Sequence, residues 1–483
     1  MPSRRNPKVL IAAFDGLQPQ QVTQKLTPTI HRLAQSGCTL TRSHAVFPSV
    51  TRANSATMAT GCYPGKHGIP ANAAVFADVD PFSVRQVLQP ELSQIAEIGR
   101  PVLLVPALGE LLARSNMTQV SIVGGSSGNA YVHFPTAEHA GRGGVINPEF
   151  SLPSALNVAA NDLLGPWPES ESPSVARVDR VAETAIQYVI PRLSPDLLFL
   201  WFPEPDKSNH QHGIGSGPSD CGLAAADAAL GRVLEFLTDR DVQPDVLVVS
   251  DHGYSTIAAP VDIASELRAG GFRLNEGPGS VLMANNGGSV LLNYPGADAQ
   301  EACRFIAWLA RKDWAGAVFS SMPEAVELGM LSASLAAMDG PRAPHFAVSA
   351  AWESDDTRSG LSGTARSFGS SPAGAGNHGS ASPQELRNTF IASGPSFKSG
   401  VQSPVPAGNA DIAPTVLHLL GLKPAAHMDG RVLYEALANG PEPSGMAVTE
   451  NEIIVAGAGF SQTARTVSAA GKSYLASARL DRR

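Results

Sequence analysis

The sequence predicts an α/β fold: a doubly wound, mostly parallel sheet with helices on both faces and an inserted smaller cap domain. Three observations carry this. Short apolar, β-branched runs alternate with stretches of helical spacing, the pattern of a parallel sheet with right-handed crossovers. One run, Asp196–Phe202, is apolar without a break after its first residue, as strands covered on both faces are. After Ser250 the alternation lapses, and core-like sequence returns only at Thr389.

In order, Lys8–Phe14 has the composition of a buried strand, and Pro28–Ser36 reads as a helix stopped at Gly37. Thr39 to Phe47 is β-like and ends at Pro48. A helix of small residues then opens at Thr51 and stops at Thr60-Gly61. Gln119–Val123 is a strand, and Val175–Val189 has helical apolar spacing. Asp196–Phe202 is followed by a helix over Leu223–Leu237 and a strand over Asp245–Ser250. Residues 256–350 mix short strands and helices, and Ser354 to Gly376, rich in Ser, Gly and Ala, reads as a mobile loop. The core resumes with Thr389–Ser393 and the helix Ile412–Leu420. This divides the chain into a discontinuous core (1–255 and 376–440), an inserted substrate-selecting cap (256–375) and a C-terminal extension (441–483). The extension holds one strand candidate, Glu452–Ala456, and an otherwise uninformative basic end.

The 483 residues carry 35 Lys and Arg against 43 Asp and Glu, a net charge of −8. No basic stripe interleaves with aromatics, so a nucleic-acid polymer is not an expected partner. A phosphorylated small substrate stays open, because local charge decides that. No apolar run reaches the length of a membrane span, and Val9 to Phe14 is too short for a signal segment, so a cytoplasmic protein is expected. Cys38, Cys62, Cys221 and Cys303 are scattered, which reads as buried thiols rather than a disulfide framework or a thiolate metal site.

The informative residues lie where strands end. Asp15 closes the first strand in Ala13-Phe14-Asp15-Gly16. Asp206 and His210 follow the Asp196–Phe202 strand, and Asp251 and His252 end the Asp245–Ser250 strand. His378 lies in Gly376-Asn377-His378-Gly379, just before the core resumes. Ligands bind beyond the carboxyl ends of an open parallel sheet, so Asp15, Thr51, Asp206, His210, Asp251 and His252 should converge on one edge. Singly, each has a plain account. An Asp after a strand caps a helix, Thr51 is an ordinary helix-opening residue, and Asp206 with His210 is an i,i+4 pair. Those accounts do not explain all of them together. Oxygen and imidazole donors without thiolate suit zinc or manganese. Six or more such donors exceed one four-coordinate ion and fit two, and metals about 3.5–4 Å apart suit in-line displacement at phosphorus. A Thr hydroxyl is a poor nucleophile until a cation lowers its pKa.

These motifs resemble those of the alkaline phosphatase superfamily, and within it the nucleotide pyrophosphatase/phosphodiesterase branch. The likeness runs through Phe14-Asp15-Gly16, Pro48-Ser49-Val50-Thr51, Thr60-Gly61-Cys62-Tyr63-Pro64-Gly65-Lys66-His67-Gly68-Ile69, Pro205-Asp206 with His210, Ser250-Asp251-His252-Gly253, Gly376-Asn377-His378-Gly379 and Asp411-Ile412-Ala413-Pro414-Thr415. The resemblance implies an alkaline-phosphatase-like fold and two divalent metal ions, zinc above others. One ion would be held by Asp15, Thr51, Asp251 and His252, the other by Asp206, His210 and His378. It implies Thr51 as nucleophile and Asn72 as donor to a non-bridging phosphoryl oxygen. His67 matches a family position with a structural role, and His212 reads as a surface residue.

Two departures bear on the substrate. Thr51, without a Cys-x-Pro-x-Arg motif, disfavours both a phosphomonoesterase and a sulfatase. Arg52 stands where nucleotide-cleaving members often carry an aromatic residue that stacks on the base, and a guanidinium is better matched to a second phosphate or a carboxylate. The expected activity is that of a two-metal phosphodiesterase, a phosphoric ester hydrolase working through a covalent phosphothreonine. The alternative is a phosphonate C–P hydrolase of the phosphonoacetate type using the same site. A binding protein on an inactivated scaffold is disfavoured, since all seven metal-ligand candidates are present. The sequence leaves the oligomeric state open.

Overall fold

The computed structural model describes residues 7–482 apart from 298, 355, 356, 358, 359 and 362. Its largest sheet has nine strands, numbered here in chain order: β1 (Val9–Phe14), β2 (Cys38–Leu40), β3 (Gln119–Val123), β4 (Gly144–Ile146), β5 (Ser151–Leu152), β6 (Leu197–Phe202), β7 (Asp245–Val249), β8 (Phe390–Ser393) and β9 (Val401–Ser403). Their order across the sheet is β9-β2-β8-β7-β1-β6-β3-β4-β5. The centre is parallel, with β1 between β7 and β6 and β3 beyond β6. Antiparallel pairing enters at β8 and at the far edge, β5.

Every residue of β1 and β6 is buried, and period-2 alternation sends successive side chains to opposite faces. Val9, Ile11 and Ala13 join Leu197, Phe199 and Trp201 on one face, under Met58 and the helix Ile412–Leu419. Leu10, Ala12 and Phe14 join Leu198, Leu200 and Phe202 on the other, under the long helix Gly217–Thr238. Two apolar faces require two helical layers, and this is why the sheet is doubly wound.

The central strands end level with one another. Ala13 pairs with both Val249 and Trp201, and Phe14 pairs with Phe202. Their next residues therefore emerge along one edge. The β-like stretch Thr39 to Phe47 is two short pieces, β2 and a bridge strand Ser43–His44 that pairs with Ala407–Gly408. The expected Val175–Val189 helix is α-helical over Val175–Glu183 and continues as a π-helical segment, Thr184–Leu193, with Pro191 inside.

Beyond β7 lie a five-stranded sheet built from Leu282–Asn285, Ser289–Asn293, Ala315–Ser320, Leu331–Ser332 and Phe346–Ala350, and a four-stranded one containing Ser255–Pro260, Trp352–Glu353, Thr364–Ser367 and Gly376–Asn377. The expected mobile loop thus includes a paired strand, Thr364–Ser367, while 355, 356, 358, 359 and 362 lie outside the described residues. The final residues form a three-stranded antiparallel meander, Val448–Gly457, Phe460–Ala469 and Lys472–Arg482, instead of one strand. Gln462 fastens it to the five-stranded sheet, accepting from the Val318 N–H at 2.7 Å. All four cysteines are free, but only Cys38 and Cys62 are buried; Cys221 and Cys303 are exposed, on outward faces of their helices. Among the described residues, no helix is long and apolar enough to cross a membrane.

Candidate active site

Asp15 follows β1 directly, Asp251 and His252 follow β7, and Asp206 opens the helix Asp206–His212 beyond β6. Thr51 is the first residue of the helix Thr51–Thr60, which stops at Gly61 in the left-handed region (φ 68°), a common helix end. His378 comes from the loop after Gly376–Asn377. Structure brings all of these together.

Two groups of ligand atoms result, each with its members within 4.8 Å of one another: Asp15, Asp251 and His252, and Asp206, His252 and His378. His252 belongs to both, and its ring stacks on His378 with centroids 3.6 Å apart. Its Nε2 lies 3.0 Å from Asp251 Oδ2, 3.6 Å from Asp15 Oδ1 and 3.4 Å from Thr51 Oγ1. His210 completes the second group, its Nε2 3.4 Å from Asp206 Oδ1 and 3.2 Å from His378 Nε2.

The tautomers follow from what surrounds the rings. His210 Nδ1 donates to the Gly376 carbonyl (3.2 Å), His378 Nδ1 to the Ser49 carbonyl (2.8 Å) and His252 Nδ1 to the Gly253 carbonyl (3.1 Å). A carbonyl only accepts, so in each neutral ring the proton is on Nδ1 and the Nε2 lone pair points inward. In their neutral forms the His210 and His378 Nε2 atoms would face each other lone pair to lone pair, 3.2 Å apart, while Asp206 favours the protonated form of His210. Asp15 Oδ1 and Asp251 Oδ2 are buried with no hydrogen-bond partner among the described residues. Buried acceptors converging without donors are a cation site, and carbonyl-oriented imidazoles are the usual support for metal ligands. Oxygen and nitrogen donors of this kind fit divalent metal ions such as zinc.

Charge is crowded here. Burial, and then the Asp206 and Asp251 carboxylates, push Asp15 well above the usual carboxylate range. Burial opposes ionisation of Asp206 too, but His210 and His378 outweigh it and hold Asp206 well below that range. Burial and the neighbouring His252 bring His378 down to about 4.

Several supporting groups escaped the sequence reading. Trp201 Nε1 donates to Asp15 Oδ2 at 3.0 Å. The Tyr254 hydroxyl, kept protonated by burial and by Asp206, donates to Asp206 Oδ1. Gly16 donates its N–H to Asp251 Oδ1 at 3.0 Å; its φ is +72°, and a Cβ there would strike the Tyr254 ring. Ser49 ties the segment that leads into Thr51 to the His378 loop, donating to the Ser380 carbonyl (2.8 Å) and accepting from the Gly379 N–H (3.0 Å). The only signals for these were ordinary ones, an aromatic inside a strand and small residues beside the motifs.

Asn72 accepts the Arg52 backbone N–H through Oδ1 at 3.0 Å, which fixes its amide and leaves Nδ2 as a donor. Asn72 and Arg52 line, with Asp15, Thr51, Asp206, His210 and His378, a cavity of about 380 Å³. Its outer wall comes from residues between 124 and 207, and none of the described residues 256–375, expected to choose the substrate, lines it. His67 is buried apart from the site, bonded to Thr57 Oγ1 (3.0 Å) and the Ile69 N–H (3.1 Å), and His212 is exposed.

Residues 9–318 match the family model described as type I phosphodiesterase/nucleotide pyrophosphatase. The chain belongs to that family. The match spans every site residue named above except His378. A relative in this family, ectonucleotide pyrophosphatase/phosphodiesterase 1 of Saccharomyces cerevisiae, is 25% identical over 283 residues, covering 53% of this chain and 35% of its own. Venom phosphodiesterase 2 of Crotalus adamanteus is 24% identical over 288 residues, covering 58% and 31%. This chain thus spans about a third of the length of those relatives. Murine ectonucleotide pyrophosphatase/phosphodiesterase 5 shares the fold, with a TM-score of 0.62 at 19% identity over 87% of this chain and 96% of its own. An inactive variant of that murine protein has been solved in complex with AMP.

Proposed function

We propose that the protein is a metal-dependent phosphodiesterase in which Thr51 becomes transiently phosphorylated. The observation that carries this is the convergence of three carboxylates and three inward-facing imidazole nitrogens around one helix-opening hydroxyl. Two divalent ions, zinc by donor chemistry, fit the donor set: one with Asp15, Thr51, Asp251 and His252, the other with Asp206, His210 and His378. Bound there, they would lower the pKa of the hydroxyl and offset negative charge on the phosphoryl oxygens.

The chain's own groups do the rest. Thr51 Oγ1 bonds to phosphorus as the bond to the leaving ester oxygen breaks, and that oxygen departs with the electron pair and takes up a proton. Water then bonds to phosphorus, the Oγ1–P bond breaks, and Thr51 regains a proton. Asn72, its amide fixed by the Arg52 N–H, offers Nδ2 to a non-bridging oxygen, the kind of preorganised donor that acts on developing charge. The dipole of the Thr51–Thr60 helix favours an anion at the same point. Trp201 and Tyr254 hold the Asp15 and Asp206 carboxylates in place.

The family match speaks for a phosphoric ester over a phosphonate C–P bond. The deciding assay is hydrolysis of bis-(p-nitrophenyl) phosphate by zinc-loaded protein. Thr51→Ala should lower turnover by on the order of 10³-fold or more. Full activity in Thr51→Ala, or turnover untouched by a chelator, would overturn the reading.

A further inference from the structure

The cavity beside Thr51 has more room than a phosphoryl group needs, and its outer wall is cationic. Arg52 follows the nucleophile, Arg177 lies in the first turn of the helix Val175–Glu183, and Lys207 follows Asp206. The two outer elements are tied together by the buried Glu204 side chain, which accepts the Ser174 N–H at 2.6 Å and the Ser208 N–H at 3.2 Å. The elements that carry Arg177 and Lys207 are therefore held in fixed relation to each other.

Among the described residues none of the three cations is ion-paired. Each bonds only to a neutral acceptor: Arg52 Nη1 to the Asn72 carbonyl at 3.2 Å, Arg177 Nε to the Pro168 carbonyl at 3.1 Å, and Lys207 Nζ to Ser170 Oγ. A guanidinium carries five N–H donors and an ammonium three, so most are unused, and Arg52 Nε is buried without a partner. Among the described residues, the carboxylates lining this wall are the metal-site aspartates and the exposed Glu149; Glu169 lies near Arg177, and Glu171 and Glu204 near Lys207, without forming an ion pair. Among the described residues no Phe, Tyr or Trp lines the cavity to stack on a base.

Guanidinium groups pair with carboxylate and phosphate oxygens through two parallel hydrogen bonds. Arg52 shares a helical turn with Thr51 and is bonded to Asn72. Arg52 therefore sits beside the point where Thr51 and Asn72 would meet a phosphoryl group, the side on which the retained ester group would lie. We propose that Arg52, Arg177 and Lys207 form a second anion subsite, and that the preferred substrate is a phosphodiester whose retained ester group ends in a phosphate or carboxylate rather than an aromatic base. The proposal rests on the phosphodiesterase reading above and narrows its substrate.

The test compares four p-nitrophenyl phosphodiesters on the zinc-loaded protein, with 2-phosphoethyl, 2-carboxyethyl, propyl or thymidine-5′ as the retained group. At least one anionic ester should exceed the propyl ester in kcat/KM by about tenfold or more, as charge-assisted bonds allow. The phosphate and carboxylate arms then identify the anion. In Arg177→Met and, separately, Lys207→Met, that ratio should fall towards one; Lys207 is partly exposed, so its variant guards against a folding defect in the other. A wild-type ratio near one, or a preference for the thymidine ester over both anionic esters, overturns the anion subsite. Equal, Thr51-dependent turnover of all four esters sinks the subsite and leaves the phosphodiesterase standing. No turnover of any ester sinks both.

Discussion

Because the Arg52 N–H occupies Asn72 Oδ1, the Asn72 side chain has one orientation and one free role, as a donor through Nδ2. Asn72→Asp keeps the acceptor and removes the donor, so kcat for a phosphodiester should fall about 10²–10³-fold while the melting temperature changes little. A different kind of residue sets the response to acid. His44, His67 and His133 are buried, and burial holds each down to about 3. In the unfolded chain an imidazole titrates near its ordinary value of about 6.5. Between those values the unfolded state binds more protons, so stability is intact above about pH 6.5 and is lost as pH falls towards 3, by up to about 1.4 kcal/mol per pH unit for each histidine. His67→Gln, which can still accept the Ile69 N–H, should show a smaller drop in melting temperature between pH 7 and pH 5 than the wild type.

At the level of elements, the Thr51–Thr60 helix is joined to the end of β7 by a chain of buried amides. Asn409 Nδ2 donates to Asn54 Oδ1 (2.9 Å) and to the Asp251 carbonyl (2.7 Å), and Asn388 Nδ2 donates to Asn409 Oδ1 (2.7 Å). Asn409→Ala leaves the Asp251 carbonyl buried without that partner and should cost about 1–3 kcal/mol in denaturant unfolding, with activity falling further as Thr51 and Asp251 lose their common support. Nothing in the spacing of Asn54, Asn388 and Asn409 announces this link. By contrast β1, β6 and β7 were legible because burial on both faces writes a continuous apolar run, and Asp15, Asp206 and Asp251 stood out as the charges that follow those runs. Arg177, Glu149 and the Gly124–Ser126 turn were not legible. They lie in loops or on a half-exposed helix face, where no periodicity marks a residue, and only the crossovers of the chain bring them to Thr51. The terminal meander was missed for a related reason. Its strands mix polar and small residues, and they are strands because each pairs with the next.

For the molecule as a whole, the crowded carboxylates make the cation site a stability determinant as well as a chemical one. Ligand at about a thousand times its dissociation constant adds about 4 kcal/mol to a native state that alone binds it. Chelation should therefore lower the melting temperature by several degrees as it abolishes turnover, and added zinc should restore both. The sheet has one further property. β8 is wedged between β7 and β2, although some 140 residues separate it from the first and 350 from the second, and His378 arrives a few residues ahead of it. A chain emerging from the ribosome thus holds Thr51 and the carboxylates and imidazoles around it before it can close the sheet that aligns them. Any fragment ending before Phe390 would leave the facing edges of β7 and β2 without the strand that pairs with both.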